Sequence, residues 1–218
     1  MGYANIIVKN IVNLLYTPML LSFVGQADYG VFQTANNFIV SLQLLTFGFD
    51  GAYVRFYMRR RAKKDELGIR RLNGMYLILY LIICVTAIVL GLTFSAVCGL
   101  LFSGSFTSDQ VGLASSIMAI LTFNVATTLL STVFDAYIMS HEKFTFQQSR
   151  QMLTTLATTA LALIMLYRGW GVVGVALAQL TVNIVLLLLN ARYAVGVLGM
   201  RFDVRHPDMS LLKAVAVF

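Results

Sequence analysis

The sequence predicts an all-α protein, a polytopic helical bundle embedded in a membrane with six transmembrane helices. The chain of 218 residues is 59% hydrophobic and only 11% charged, whereas soluble domains carry about 25% charged residues. Its mean hydropathy is +0.81. Apolar stretches long enough to cross a bilayer core of roughly 30 Å recur from end to end. Strand-like alternation is rare, which argues against a β-barrel.

The apolar stretches divide the chain into six predicted spans joined by short connections. The spans are residues 4–24, 30–57, 75–102, 111–140, 152–167 and 171–195. Together they form an N-terminal six-helix transmembrane lobe, residues 1–209. The last residues, 210–218 ("SLLKAVAVF"), resemble the start of a seventh helix. We therefore expect this chain to be the first part of a longer protein.

The net charge of +7 follows the connections between spans and indicates membrane topology rather than nucleic-acid binding. The even-numbered connections are basic: they hold Arg59, Arg60, Arg61, Lys63, Lys64, Arg70 and Arg71, then Lys143 and Arg150, then Arg201 and Arg205, with Arg192 near the end of span 6. The odd-numbered connections contain one basic residue, Arg168. The positive-inside rule then places the N-terminus and the basic connections in the cytoplasm.

Spans 1 and 2 each carry polar residues on one helical face. The intervals of four, or of three and seven, repeat with the helical period. They align Asn5, Lys9 and Asn13 in span 1, and Gln33, Asn36, Gln43 and Asp50 in span 2. Polar groups are costly in hydrocarbon, so such faces should point to the bundle interior or to a wet cavity.

Spans 4 and 6 repeat the pattern, whereas span 3 is nearly free of strongly polar residues. The stripes consist of Asn124, Thr128, Ser131 and Asp135 in span 4, and of Gln179, Asn183 and Asn190 in span 6. This distribution predicts that spans 1, 2, 4 and 6 line a polar cavity and that span 3 faces lipid. For a single Asn or Gln, packing between membrane helices is the alternative interpretation.

The two cysteines, Cys84 and Cys98, are fourteen residues apart within span 3. On one helix this separation is about 21 Å, too long for a disulfide. We expect both to be small packing residues.

The ionisable residues near the span ends allow two interpretations each. Lys9 and Arg55 are candidates for substrate contact, but near a cytoplasmic helix end they are also suited to lipid headgroups. Asp50 has Arg55 or Lys9 as a candidate partner. For Asp135 the sequence names no partner.

Catalytic and cofactor motifs are missing from the sequence. The two histidines, His141 and His206, have no metal-ligand spacing around them. There is no phosphate-binding loop, nucleophile elbow or zinc motif. We therefore expect no cofactor and no enzymatic activity, but a passive or ion-coupled conduit.

Two segments resemble the polysaccharide transporter family, which comprises the O-antigen and capsule flippases. Residues 21–57 contain a G-x-x-x-Y-G turn from Gly25 to Gly30, followed by a G-x-x-x-x-x-x-R phrase from Gly48 to Arg55. Residues 166–190 resemble the last helical hairpin of that family's first lobe, with a G-x-x-G-x-A pattern that begins at Gly171. The polar connection "HEKFTFQQSRQ" follows span 4, as in the family.

The resemblance implies the two-lobe, MATE-like fold of the multidrug/oligosaccharidyl-lipid/polysaccharide (MOP) flippase superfamily. It implies that a polyprenyl-diphosphate-linked oligosaccharide is flipped by alternating access across the cytoplasmic membrane of a bacterial or archaeal cell. Membrane lipids and polysaccharide assembly proteins are the implied partners. Lys9 and Arg55 would then receive the diphosphate. The amides would bond sugar hydroxyls; they belong to Asn5, Asn13, Asn36, Gln43 and Asn183. Asp50 and Asp135 would serve ion coupling or charge pairing.

Three alternatives remain open at this stage. A cation-coupled multidrug exporter of the same superfamily would use Asp50 and Asp135 to capture H⁺ or Na⁺. A membrane polysaccharide polymerase or glycosyltransferase would need a longer loop or catalytic domain than these connections supply. A purely structural bundle would not require ionisable residues within its spans.

Overall fold

The structure is a computed structural model that describes residues 2–46, 49–102, 107–141 and 144–205. Over these ranges the secondary structure is helical, and no β-strand occurs. The helices are α1 (Gly2–Val40), α2 (Phe49–Ala62), α3 (Glu66–Ala96), α4 (Cys98–Phe102), α5 (Ser108–Ser140), α6 (Phe144–Tyr167) and α7 (Gly171–Arg192). A 3-10 helix, Ser41–Thr46, follows α1, and a π-helical turn, Tyr193–Val197, follows α7. The all-helical prediction is confirmed for the described residues.

Three helical segments among the described residues are long and apolar enough to cross a membrane. They are Glu66–Ala96, Ser108–Ser140 and Gly171–Val197. They correspond to predicted spans 3, 4 and 6. The total of six spans stays a prediction.

The first two predicted spans differ in detail from the observed helices. Helix α1 consists of two helical segments that meet in a kink at Gly25, where φ is 79° and ψ is 167°, at the start of the predicted connection 25–30. Glycine adopts such an angle at little cost because it lacks a Cβ atom. The segment predicted as span 2 is divided by the 3-10 helix, where the Thr46 hydroxyl donates to the Gln43 carbonyl at 2.8 Å.

Two helices begin earlier than hydropathy predicts. Helix α3 starts at Glu66, where the Asp65 side chain accepts a hydrogen bond from the Gly68 amide at 2.8 Å. Helix α6 starts at Phe144, so Arg150 lies inside a helix and not in a connection. Hydropathy identifies only the apolar part of a helix. A prediction from hydropathy therefore assigns the charged first turns of the helix to the preceding connection.

Helix α5 is the centre of the bundle. It contacts α1, α2, α3 and α7, and α6 packs mainly on α7 and α1. A capping box fixes the first turn of α5, because the side chains of Thr107 and Gln110 each form a hydrogen bond with the other residue's backbone. Its buried apolar residues recur along its length and include Ile117, Met118, Leu121, Val125, Leu129 and Val133.

Helix α3 packs one face on α5 and exposes the other. Gly91, Ala87 and Cys84 are buried, whereas Ile82, Val85 and Val89 are each about 60% exposed. That this apolar face contacts lipid stays a prediction. Cys84 and Cys98 are both free and buried, as expected for packing residues.

The close approach of α3 to α5 depends on Gly91. A Cβ atom at this position would lie 2.9 Å from Cβ of Thr122, which is itself fully buried. We expect Gly91→Ala to lower the free energy of unfolding by about 1–3 kcal/mol, because the buried threonine has no space to yield. Denaturation of the purified protein in detergent measures this change.

Gly112→Ala is the matched control, because a Cβ at this exposed position of α5 meets no atom within 4 Å. It should leave stability unchanged or raise it by about 0.5–1 kcal/mol. Adding Thr122→Ala to the Gly91→Ala variant should restore part of the loss. Equal stabilities for the two alanine variants would refute the assigned role of Gly91.

Candidate functional site

The polar stripes predicted on spans 4 and 6 face each other in the structure. The Asn183 side-chain amide on α7 donates to Oδ1 of Asn124 at 2.7 Å and to the Thr128 hydroxyl at 3.4 Å, both on α5. These side chains are partly buried. Their hydrogen bonds run between two packed helices, so part of each stripe is satisfied by the other.

A second group of contacts lies one to two turns further along the same pair of helices. Asn190 is fully buried. Its side-chain amide nitrogen donates to the Ser131 hydroxyl at 2.7 Å and to Oδ1 of Asp135 at 3.1 Å. The three polar side chains therefore form a small network between α5 and α7.

Arg150 completes this network from α6. Its Nη1 atom donates to Oδ1 of Asp135, with which it forms an ion pair, and to Oδ1 of Asn190. The side chains of Arg150 and Asp135 are only 12% and 27% exposed. Since an uncompensated charge is costly in such a place, the pair neutralises both residues and ties three helices together.

Sequence reasoning missed Arg150 because it placed the residue in a basic connection. A usable signal was present: Asp135 and Arg150 are opposite charges on either side of a short turn. Residues at equal distances before and after a short turn lie at similar depth, so opposite charges there can meet even where the two helices separate further on. Helical periodicity alone identifies a face of one helix and not its neighbour.

A cluster of aromatic rings joins α2, α3 and α5 at the end of the bundle that carries residues 59–71, here called the basic end. The ring centroids of Tyr53 and Tyr76 are 4.5 Å apart, and those of Tyr57 and Tyr137 are 5.5 Å apart. The Tyr57 hydroxyl lies 3.2 Å from Nε2 of His141. These aromatic residues were not among the predicted site residues, because tyrosines in an apolar chain carry no distinct pattern.

The remaining predicted site residues are not gathered at this network. Arg55 on α2 and Gln43 in the 3-10 helix are exposed, and Asn36 on α1 is partly buried. A 3-10 helix has 3.0 residues per turn rather than 3.6, so the predicted straight stripe from Asn36 through Gln43 does not keep its face. The structure thus leaves Arg55 and Gln43 accessible.

Four predicted side chains lie outside the part of the structure that is described. They are those of Asn5, Lys9, Asn13 and Asp50. The predicted pairing of Asp50 with Arg55 or Lys9 therefore stays a prediction. No cluster of three or more histidine, cysteine or acidic residues that could hold a metal ion occurs among the described residues.

The Asp135–Arg150 pair makes a direct prediction about stability. We expect Asp135→Leu or Arg150→Met alone to lower the free energy of unfolding by about 3 kcal/mol, because each leaves an uncompensated partner charge. The double variant should recover most of this loss. Denaturation of the purified protein in detergent, analysed as a double-mutant cycle, measures the coupling.

Asp109→Asn is the control, since Asp109 is an exposed acid in the first turn of α5. It should lower stability by no more than about 1 kcal/mol. Additive losses in the double variant would contradict the proposed coupling between the two charges.

The fold is similar to that of solved MOP-superfamily transporters. The outward-facing conformation of a multidrug resistance MATE family transporter matches with a TM-score of 0.78 at 21% identity, covering 97% of this chain and 48% of that one. A mutant of MATE matches with a TM-score of 0.75 at 21% identity, covering 97% and 49%.

A third solved structure is a MOP-superfamily transporter from Pyrococcus furiosus. It matches with a TM-score of 0.68 at 21% identity, and the match covers 97% of this chain and 48% of that one. Its structure was described as having a binding pocket of reversed polarity that suggests a different function. The chain spans about half the length of the transporters it matches.

Sequence comparison agrees with the fold and names the family. Among curated proteins, no sequence matches this chain. Residues 3–211, nearly the whole chain, match the sequence profile of the polysaccharide biosynthesis protein family, which confirms the resemblance seen in the sequence. The chain therefore belongs to the polysaccharide biosynthesis protein family and has the fold of the MOP-superfamily transporters.

Proposed function

We propose that the protein flips a polyprenyl-diphosphate-linked oligosaccharide repeat unit across the cytoplasmic membrane, by alternating access, for surface polysaccharide biosynthesis. The observation that carries this proposal is the match of residues 3–211 to the polysaccharide biosynthesis protein family. The family and the structural neighbours support a multi-pass membrane transporter. Because the chain spans about half of those neighbours, the complete transport cycle belongs to the proposal.

The charge arrangement of the described residues supports an anionic rather than a cationic substrate. Asp135, one of the two acids predicted within the spans, is neutralised by Arg150 and held by Asn190. It is therefore not a free carboxylate that would attract a cationic drug. Arg55, in contrast, is an exposed cation at the basic end of the bundle.

In the proposed role, Arg55 and Lys9 receive the diphosphate at the cytoplasmic side of the bundle. Guanidinium and ammonium groups form short, charge-assisted hydrogen bonds with phosphate oxygens. Asn36 and Gln43, with the amides of Asn5 and Asn13, supply polar groups for the oligosaccharide. Asp50 balances the basic charge of Arg55 or Lys9 when no substrate is bound.

Arg55 is the residue whose substitution tests the substrate chemistry. In cells whose surface polysaccharide depends on this protein, we expect Arg55→Gln to reduce export about tenfold or more, through loss of a charge-assisted contact worth about 1.5–3 kcal/mol. Arg55→Lys should retain part of the activity, because it keeps the charge and loses the bidentate geometry. Surface polysaccharide and the amount of lipid-linked precursor are measured at matched expression.

Arg59→Gln is the control, because Arg59 is exposed one turn further along the same helix. It should export polysaccharide at the wild-type level. Normal export by Arg55→Gln with no accumulated precursor would remove Arg55 from the transport site. A defect of equal size in both variants would show a general effect of charge at this surface.

A cation-coupled multidrug exporter is the second candidate, favoured by the match to a multidrug resistance MATE family transporter. The two functions predict different rates of cationic-dye efflux from cells that express the protein. We expect expression of the full-length protein to leave the efflux of a cationic dye such as ethidium unchanged, because the described acid is already neutralised. Fluorescence of dye-loaded cells measures this rate. Dye efflux that requires a proton or sodium gradient and is lost in Asp50→Asn would establish the exporter instead.

A further inference from the structure

Residues 198–205, here called the strap, follow the π-helical turn and cross the basic end of the bundle. The Tyr137 hydroxyl on α5 donates to the Leu198 carbonyl at 3.3 Å. The Asn73 side chain on α3 donates to the Arg201 carbonyl at 3.0 Å. The Asp203 amide donates to the Arg70 carbonyl at 2.9 Å. These bonds hold the strap against α5 at Leu198 and against α3 at Arg201 and Asp203.

Two further contacts fix the far part of the strap. Arg71 forms an ion pair with Asp203 at 3.8 Å. Gly74 is buried, and a Cβ atom there would lie 2.6 Å from the carbonyl carbon of Asp203 and 3.1 Å from the Val204 nitrogen. The strap backbone therefore approaches α3 more closely than a side chain at position 74 would allow. It forms a fixed wall.

A cavity of about 420 Å³ lies between this wall and the ends of α2, α3 and α5. Its lining residues are Tyr57, Glu66, Ile69, Arg70, Asn73, Tyr137, Gly199 and Arg201. Most of these carry polar groups. The cavity thus differs from an apolar groove between membrane helices, and it lies apart from the Asp135–Arg150 network.

The two arginines give the cavity its chemistry. Arg70 projects from α3 and Arg201 from the strap, so cations from two different elements line one space. The only acid in the lining, Glu66, is 84% exposed and 3.9 Å from Arg70. Such an exposed contact contributes little, at most about 1 kcal/mol. Both guanidinium groups therefore keep donors for a further ligand.

The other polar residues hold the walls in place. Asn73 is buried, and its Oδ1 atom accepts from the Tyr53 hydroxyl at 2.6 Å while its nitrogen donates to the strap. The Tyr57 hydroxyl is held by His141, whose Nδ1 atom lies 2.9 Å from the Tyr137 carbonyl. These contacts hold the walls of the cavity in place, and Arg70 and Arg201 are the cations that line it among the described residues.

We infer that this cavity binds a phosphate group between Arg70 and Arg201. Planar guanidinium forks suit the oxygens of a phosphate monoester, diester or diphosphate. The phosphate belongs either to the headgroup of an anionic membrane lipid or to a soluble molecule. In both cases it bridges α3 and the strap. The inference does not depend on which substrate the protein transports, because neither arginine belongs to the proposed transport residues.

Thermal unfolding of the purified full-length protein tests the inference. One arm titrates pyrophosphate in detergent against sodium chloride at equal ionic strength. The other arm compares nanodiscs of phosphatidylglycerol with nanodiscs of phosphatidylcholine. We expect the unfolding temperature of the wild-type protein to rise with pyrophosphate, with phosphatidylglycerol, or with both. The arm that responds identifies the source of the phosphate.

Arg201→Gln is the main variant, because the side chain is exposed and its loss should not impair folding. We expect it to weaken the response about tenfold or more in concentration, as expected for loss of one charge-assisted contact. Arg70→Gln should act in the same way. Arg205→Gln, an exposed arginine of the same strap outside the cavity lining, should respond as wild type.

Two results would overturn the inference. One is a wild-type protein that neither pyrophosphate nor phosphatidylglycerol stabilises beyond its control. The other is a response that Arg201→Gln and Arg205→Gln reduce equally, which would show general attraction of anions to a basic surface. Unfolding temperatures without ligand verify that each variant is folded.

Discussion

The contact between Asp135 and Arg150 is the interaction on which the arrangement of α5, α6 and α7 depends. Neither charge is tolerable alone in an apolar setting, so the three helices must bring the two side chains together. Asn190 then uses both ends of its amide to hold the pair. Apolar packing allows one helix to rotate slightly on another, whereas the hydrogen bonds among Asp135, Arg150 and Asn190 restrict such rotation.

The same constraint acts on the neutral polar residues along α5 and α7. In water, an asparagine can bond to solvent, but in a membrane it must find another polar group. Asn183 finds Asn124 and Thr128, and Asn190 finds Ser131. A polar stripe in a membrane helix is therefore not by itself evidence of a water-filled cavity. Part of it serves helix association, and only the residues left exposed remain available to a substrate.

The sequence was sufficient to predict the helical class, the family and the polar faces of α5 and α7, but it assigned these faces to a cavity and not to each other. Helical periodicity aligned Asn124 with Asp135 and Asn183 with Asn190, because spacing determines the face of a regular helix. Periodicity could not identify Arg150 as the partner of Asp135, because it does not show which helix packs on a given face. Hydropathy also placed Arg150 outside the span. Periodicity also could not predict the 3-10 helix at Ser41–Thr46, where the regular α-helical spacing ends before Gln43 is reached. Likewise, the strap has no periodic pattern, and only tertiary contacts reveal its path.

The double use of Asn73 has a mechanical consequence. The side-chain amide of Asn73 accepts a hydrogen bond from Tyr53 of α2 and donates one to the carbonyl of Arg201. Helix α3 is therefore bonded both to α2 and to the strap through one residue. Neither neighbour can shift along α3 without breaking one of these two hydrogen bonds. Force applied to the strap is therefore transmitted to α2 and α3 together, and this part of the bundle resists shear as one stiff unit.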